Sequence, residues 1–175
     1  MEVINKEEIY SGFLRLNKFD VKLKNGAMIE REIIDKRGGV AIVAVDKEGY
    51  IYFTKQPRVG AFLDDSIEVP AGLVEDEDPE EAGRRELLEE TGCKANKMIH
   101  LCRFYGDIAC SNSITNIYFA PDVEKVNDEL MLDDDEYLES IKIKKEEAYR
   151  MLDNGEFKDS HTLIALLKAR KYLDV

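Results

Sequence analysis

One acidic stretch decides the fold of this chain: Gly72-Leu-Val-Glu-Asp-Glu77-Asp-Pro79-Glu-Glu-Ala-Gly-Arg-Arg85-Glu86-Leu-Leu-Glu89-Glu90-Thr-Gly92-Cys93. Consecutive acids precede a segment with the signals of a helix. Asp78 can cap the first turn, and Pro79 suits the first helical position. Gly92 is a suitable residue to end the helix. The sequence therefore predicts a helix that starts at Pro79 and stops at Gly92.

The predicted helix would carry three carboxylates on one face. At 3.6 residues per turn, Glu86, Glu89 and Glu90 share a side. Carboxylates so close repel each other unless a cation lies among them, and hard oxygen ligands suit Mg²⁺ or Mn²⁺. Such metals neutralise the charge of phosphate esters and diphosphates. A solvated acidic helix is the simpler explanation for Glu80 and Glu81 taken alone.

The whole stretch resembles the Nudix box. Its pattern is Gly, five residues, Glu, seven residues, Arg-Glu, an aliphatic residue, any residue, Glu-Glu, any residue and Gly. Gly72, Glu77, Arg85-Glu86-Leu87, Glu89-Glu90 and Gly92 fill these positions. The first spacing is four residues rather than five, so the loop before the helix is one residue short. The helical part of the motif is complete.

In the rest of the chain, most sequence patterns are typical of strands and few are typical of helices. Within residues 9–34, strand patterns occur at residues 11–16, 19–23 and 28–34, and Gly39–Val45 is a nearly continuous apolar run typical of a buried strand. A mixed sheet between helices follows from this order, and the resemblance implies the α/β/α Nudix sandwich. We expect one Nudix domain over residues 1–175. Residues 1–36 would form N-terminal strands and a dimerisation segment, and residues 37–175 the core.

Length and composition limit the possible functions. The chain has 175 residues, enough for one domain with a substantial core, and a net charge of −12. This charge argues against nucleic-acid and anionic-membrane partners, and no apolar run approaches the length of a membrane span. The three cysteines lack metal-type spacing, and no signal peptide is recognised at the N-terminus. We therefore expect reduced thiols and a cytoplasmic protein.

Several flanking segments resemble the ADP-ribose pyrophosphatase branch of the family. Lys55-Gln56-Pro57-Arg58 matches its Gln-any-Arg element, and Glu68-Val-Pro-Ala-Gly72 matches the segment that leads into the box. Gly155-Glu-Phe-Lys-Asp159 is close to its final motif. Two features depart from the branch: residues 106–112 lack the Ser-Pro-Gly of many members, and the chain has no Trp to stack on adenine. Tyr10, Phe13, Phe19 or Phe62 could stack instead, although core packing is the more common role for any single one of them.

The resemblance assigns the metal ligands. It implies that Glu86, Glu89 and Glu90 bind the cation together with the backbone carbonyl of Ala71. Arg85 is expected to pair with Glu77 and so to orient the carboxylates.

Catalytic and substrate-binding roles follow from the same comparison. Glu136 matches the position of a catalytic base, with Glu89 as the other candidate, although a run of acids is also typical of a solvated turn. Arg58 is expected to clamp phosphate, and Glu68 to contact substrate or to serve a structural role. Tyr10 or Phe19 would line the base pocket of a partner subunit. No role is assigned to His100 or His161.

We expect a homodimeric enzyme that hydrolyses a nucleoside diphosphate linked to another moiety, with ADP-ribose as the leading substrate. One alternative is a Nudix hydrolase for nucleoside triphosphates or dinucleotides. The other is a Nudix-fold module that binds a nucleotide without cleaving it. Such a module would be expected to lack one or more of the helix carboxylates, all of which are present here. An acidic calcium-binding protein is excluded because no Asp-rich loop of twelve residues with a central Gly occurs.

Overall fold

The computed structural model of the chain describes residues 1–132 and 137–175. These residues divide into two compact units. The first comprises residues 1–38 and 104–114, and the second comprises residues 39–103, 115–132 and 137–175.

The first unit is built on an antiparallel sheet, which has three strands in the described part of the chain. The strands are β1 (Glu2–Ser11), β2 (Arg15–Lys22) and β3 (Met28–Asp35), in that order across the sheet. Residues 104–114 join this unit through β3, because the backbone N–H of Ile34 donates to the carbonyl of Cys110 at 2.7 Å. Every residue of β1 is exposed.

The second unit contains a mixed sheet and the helices. Its strands in chain order are β4 (Gly39–Val45), β5 (Tyr50–Arg58), β6 (Leu63–Glu68), β7 (Ala71–Leu73), β8 (Cys93–Lys94), β9 (Ile99–Tyr105, which extends into residues of the first unit), β10 (Ile114–Ala120), β11 (Glu124–Lys125) and β12 (Glu139–Lys144). Its helices are α1 (Pro79–Thr91), α2 (Lys145–Asp153) and α3 (Ser160–Ala169).

The mixed sheet runs in the order β12-β5-β4-β10-β9, with β6 added to β5 and β7 to β4. β10 pairs with β4 in parallel, whereas β5 and β7 pair with β4 in antiparallel orientation. The short strands β8 and β11 pair separately. β4 is therefore the central strand, and its residues are buried from Val40 to Val45.

Alternate residues of β4 serve two hydrophobic layers, as the pleat of a strand requires. Val40, Ile42 and Ala44 pack in one cluster with Ala82 and Leu87 of α1. The intervening residues point to the other face. There the ring of Phe53 on β5 stacks on Phe157 with centroids 5.4 Å apart, and α3 contacts β4. Helices thus cover both faces of the sheet, as predicted.

Two differences from the sequence expectation concern the N-terminal strands. β1 was missed because its residues are exposed and mostly polar, so that they show no clear alternation. The segments predicted at residues 11–16 and 19–23 are instead one strand, β2, after a bend at residues 12–14. No helix among the described residues is long and apolar enough to cross a membrane.

Candidate active site

Helix α1 has the ends that the sequence predicts. The Asp78 side chain accepts hydrogen bonds from the backbone N–H groups of Glu80 at 2.8 Å and Glu81 at 3.2 Å. Pro79 occupies the first turn. Backbone N–H groups there have no acceptor within the helix, so the missing N–H of proline costs no hydrogen bond. Gly92 closes the helix at φ 66°, in the left-handed region that favours glycine. These local signals fix the two ends of the helix, and packing of Ala82 and Leu87 in the core sets which way its acidic face points.

The acidic face is turned toward the interior. Glu86 and Glu90 are buried, with 8% and 3% exposure, and Glu89 is partly exposed. Burial of a carboxylate is costly without compensating partners. Each of the three carboxylates has such a partner in the protein.

Arg85 is the main partner of the acidic face. Its Nη1 donates to Glu86 Oε1 at 2.8 Å and to Glu89 Oε2 at 2.9 Å. Its Nε and Nη2 both donate to Glu77 Oε1, at 3.1 and 2.8 Å, and Nη2 also reaches the carbonyl of Leu73. The pKa of Arg85 is raised, mainly because of its hydrogen bonds to Glu77. The predicted pair of Arg85 with Glu77 is therefore present, and it joins the loop before α1 to the carboxylates.

Strand β7 brings its backbone against the same carboxylates. The N–H of Ala71 donates to Glu90 Oε2 at 2.8 Å. A Cβ atom placed on Gly72 would lie only 2.0 Å from the carboxyl carbon of Glu86. Only glycine leaves room for Glu86 at this position, which explains why the motif begins with this residue.

The residues fit a hard divalent cation by donor type. Glu86, Glu89 and Glu90 present carboxylate oxygens beside the Ala71 backbone, and such oxygens are the ligands of Mg²⁺ and Mn²⁺. Within residues 1–132 and 137–175, however, no three His, Cys, Asp or Glu side chains converge closely enough to form a metal cluster. Arg85 and the Ala71 N–H take oxygens of the three carboxylates instead.

Arg58 lies at the end of β5 and is paired with Glu68 at the end of β6. The contact is forked: Nε donates to Glu68 Oε1 at 2.8 Å, and Nη2 donates to Oε2. Glu68 is buried, whereas the Arg58 side chain is 47% exposed. Hydrogen bonding to Glu68 is the main cause that raises the pKa of Arg58. The negative charges of Asp159 and Glu90 raise it further, so both carboxylates act on Arg58 from nearby.

A polar group at the start of α3 was not found from the sequence. Asp159 caps α3 by accepting from the N–H of Thr162 at 2.8 Å, and its other oxygen lies 3.1 Å from His161 Nδ1. His161 Nε2 lies 3.1 Å from Thr115 Oγ1 on β10. The spacing of Asp159 and Thr162 is a recognisable helix start, but nothing in the sequence indicates the contact between residues 115 and 161.

The remaining predicted site residues belong to the first unit or lie outside the described residues. Tyr10 and Phe19 belong to the first unit, where Tyr10 is 60% exposed and Lys6 lies over the ring of Phe19. Glu136, the predicted base, lies outside the described residues.

Comparison with known proteins gives concordant results. A family profile described as the NUDIX domain matches residues 35–166. The chain is 36% identical to ADP-ribose pyrophosphatase from Bacillus subtilis (strain 168), and the match covers 94% of this chain and 90% of that protein. It is 35% identical to the methanol dehydrogenase activator from Bacillus methanolicus, with the same coverage.

A solved structure described as an ADP compounds hydrolase superposes with a TM-score of 0.85 at 23% identity. The superposition covers 99% of this chain and 94% of that one, and it confirms the predicted fold. Three findings agree on the family: the complete acidic helix, the family profile over most of the chain, and the relative at 36% identity over 94% of this chain. The chain belongs to the Nudix family.

Proposed function

We propose that this protein is a metal-dependent pyrophosphohydrolase that cleaves a nucleoside diphosphate linked to a sugar, with ADP-ribose as the preferred substrate. The observation that carries the proposal is the acidic face of α1, with Glu86, Glu89 and Glu90 all present beside the β7 backbone. The relation to an ADP-ribose pyrophosphatase over nearly the whole chain supports the substrate class. The products would be a nucleoside monophosphate and a sugar phosphate.

Glu86, Glu89, Glu90 and the carbonyl of Ala71 are the proposed ligands of Mg²⁺ or Mn²⁺. When bound, the cation would neutralise diphosphate charge and lower the pKa of a water ligand. Arg85 supports these ligands from the side, because it binds Glu86, Glu89 and Glu77 at once. It therefore acts on the orientation of the carboxylates.

Arg58 is the proposed diphosphate clamp. Its forked guanidinium matches the geometry of two phosphate oxygens, and Glu68 holds it in place through two hydrogen bonds. Because the side chain is 47% exposed, part of the guanidinium remains accessible. Glu68 would thus position Arg58 rather than bind substrate itself.

The reaction adds water across the P–O–P bridge. One P–O bond forms to the water oxygen, the bridging P–O bond breaks, and a base takes the proton of the water. Glu136 is the first candidate for this base and Glu89 the second. Glu89 is partly exposed, which would let it meet a water molecule in the site.

We also propose a homodimer that forms through the N-terminal segment, with Tyr10 or Phe19 lining the base pocket of the other subunit. The fully exposed strand β1 and the 93% exposure of Phe13 support this arrangement, since exposed edges and apolar side chains are typical of interfaces.

A cytoplasmic location is proposed on the basis of the free cysteines at positions 93, 102 and 110.

A substrate panel tests the proposed reaction. The purified full-length chain would be assayed with ADP-ribose, other nucleotide sugars, dinucleotides and nucleoside triphosphates, each with Mg²⁺, with Mn²⁺ and with EDTA. We expect EDTA-sensitive release of nucleoside monophosphate, with the highest kcat/KM for ADP-ribose. A preference for triphosphates or dinucleotides would select the alternative hydrolase, and binding of nucleotide without turnover would select the binding module.

A further inference from the structure

A chain of hydrogen bonds runs from β10 through the first turn of α3 to the end of β6. His161 lies 3.1 Å from both Thr115 Oγ1 and Asp159 Oδ1. Asp159 Oδ2 accepts from the hydroxyl of Thr162 at 2.9 Å, and Thr162 Oγ1 accepts from the N–H of Val69 at 3.0 Å. We call these five residues the polar link. All of them belong to the second unit.

The protonation of Asp159 sets the direction of these bonds. Burial alone would raise its pKa, but hydrogen bonds from His161 and Thr162 outweigh burial and lower the pKa to about 2. At neutral pH Asp159 is therefore a carboxylate, which can only accept. His161 must therefore donate from Nδ1, and its Nε2 makes the contact with the Thr115 hydroxyl. His161 thus bridges the Asp159 carboxylate and the Thr115 hydroxyl.

Both ends of the polar link lie next to the candidate active site. Val69 stands between Glu68, which holds Arg58, and Ala71, whose N–H binds Glu90. At the other end Thr115 pairs with Gly39 of β4. A Cβ atom on Gly39 would lie 3.5 Å from Thr115 Oγ1 and 3.4 Å from the carbonyl of Gly72, so the hydroxyl and the β7 backbone both flank Gly39.

We propose that His161 is a positioning residue for the hydrolytic site. By tying Asp159 to Thr115, it fixes the first turn of α3. That turn, through Thr162, holds the N–H of Val69 and so the backbone that leads to Ala71. Small displacements of such supporting groups lower turnover strongly. This inference rests on the proposed hydrolytic function, but its structural part can be measured without any substrate.

Amide hydrogen exchange measures the structural part. We would compare Val69 and Ala71 in the wild type, His161→Ala and Thr115→Val, with His100→Ala as the matched control. His100 is exposed, and its ring meets the Tyr118 ring in a T-shaped contact with centroids 5.3 Å apart, away from the polar link. We expect both amides to exchange at least about tenfold faster in the two polar-link variants and at the wild-type rate in the control.

Steady-state kinetics with ADP-ribose and Mg²⁺ measure the functional part. We expect His161→Ala to lower kcat about tenfold and to change KM by less than about threefold. His161→Asn should behave like His161→Ala, because the shorter side chain can still donate to Asp159 but cannot reach Thr115. The double variant His161→Ala/Thr115→Val should be no slower than His161→Ala, since both changes break the same connection.

The outcomes separate this inference from the proposed function. If the wild type hydrolyses no substrate of the panel, the proposed function fails, and hydrogen exchange alone decides whether His161 holds Val69 and Ala71. Unchanged exchange in His161→Ala overturns the inference whatever the kinetics. A lower melting temperature with an unchanged kcat also overturns it, because His161 would then stabilise the fold without positioning the site.

Discussion

At the scale of single residues, the carboxylates of α1 carry the proposed chemistry. We expect Glu86→Gln and Glu90→Gln each to lower kcat by at least about 10²-fold, because each removes a charged oxygen at the centre of the site. Glu81→Gln is the matched control, since Glu81 is exposed on the same helix. The measurement is turnover of ADP-ribose with Mg²⁺, together with a thermal unfolding curve for each variant. A near-wild-type kcat in either buried variant would contradict the proposed ligand set.

Gly72 gives a second test at this scale. A Cβ atom there would overlap the carboxyl group of Glu86. Because that group is the end of a flexible side chain, Gly72→Ala should displace it with little loss of stability but with a fall in kcat of about tenfold or more. Gly60→Ala is the control, since a Cβ atom on Gly60 would meet nothing within 4 Å. Equal activity of the two alanine variants would show that the position of Glu86 does not matter.

At the scale of secondary structure, the start of α3 depends on an ionised Asp159. The folded-state pKa of Asp159 is about 2 against an ordinary value of 3.8. A lowered pKa stabilises the fold above the ordinary value, so this contribution is complete above pH 4 and is lost as the pH falls from about 4 to 2. Urea unfolding at several pH values would measure it.

Asp159→Asn supplies the control for that measurement. Asn caps helices about as well as Asp but does not titrate. We expect the free energy of unfolding of the variant to fall less steeply than that of the wild type between pH 4 and 2. Parallel curves would mean that Asp159 contributes nothing to the acid sensitivity of the fold.

The elements also show what the sequence could and could not predict. The ends of α1 were predictable because Asp78, Pro79 and Gly92 act within a few residues of themselves. β1 was not, because all its residues are exposed and no buried face imposes an alternating pattern. The contact between Thr115 and His161 was also beyond reach, because it depends on how α3 packs against the sheet and not on any local signal.

At the scale of the whole molecule, the proposed dimer is the feature to test. The chain has a mass of 20.0 kDa, so a dimer has twice that mass, 40.0 kDa. We expect light scattering at micromolar concentration to give this mass, and Phe13→Lys to shift it toward the monomer by placing a charge in the apolar contact. Phe62→Lys is the control, because Phe62 is equally exposed, at 93%, but lies in the second unit. A fully active wild type with a mass near 20 kDa would contradict the dimer.

Arg85 has one further consequence for the protein as a whole. It serves as an internal counter-ion, since it offsets part of the charge of Glu77, Glu86 and Glu89 before any cation arrives. We therefore expect folding of the helix and its loop not to depend on the supply of divalent ions, unlike small domains that fold only around a metal. When magnesium becomes scarce, the amount of folded protein should stay constant while its turnover falls. The cation would then control the turnover rate of the protein and not the stability of its fold.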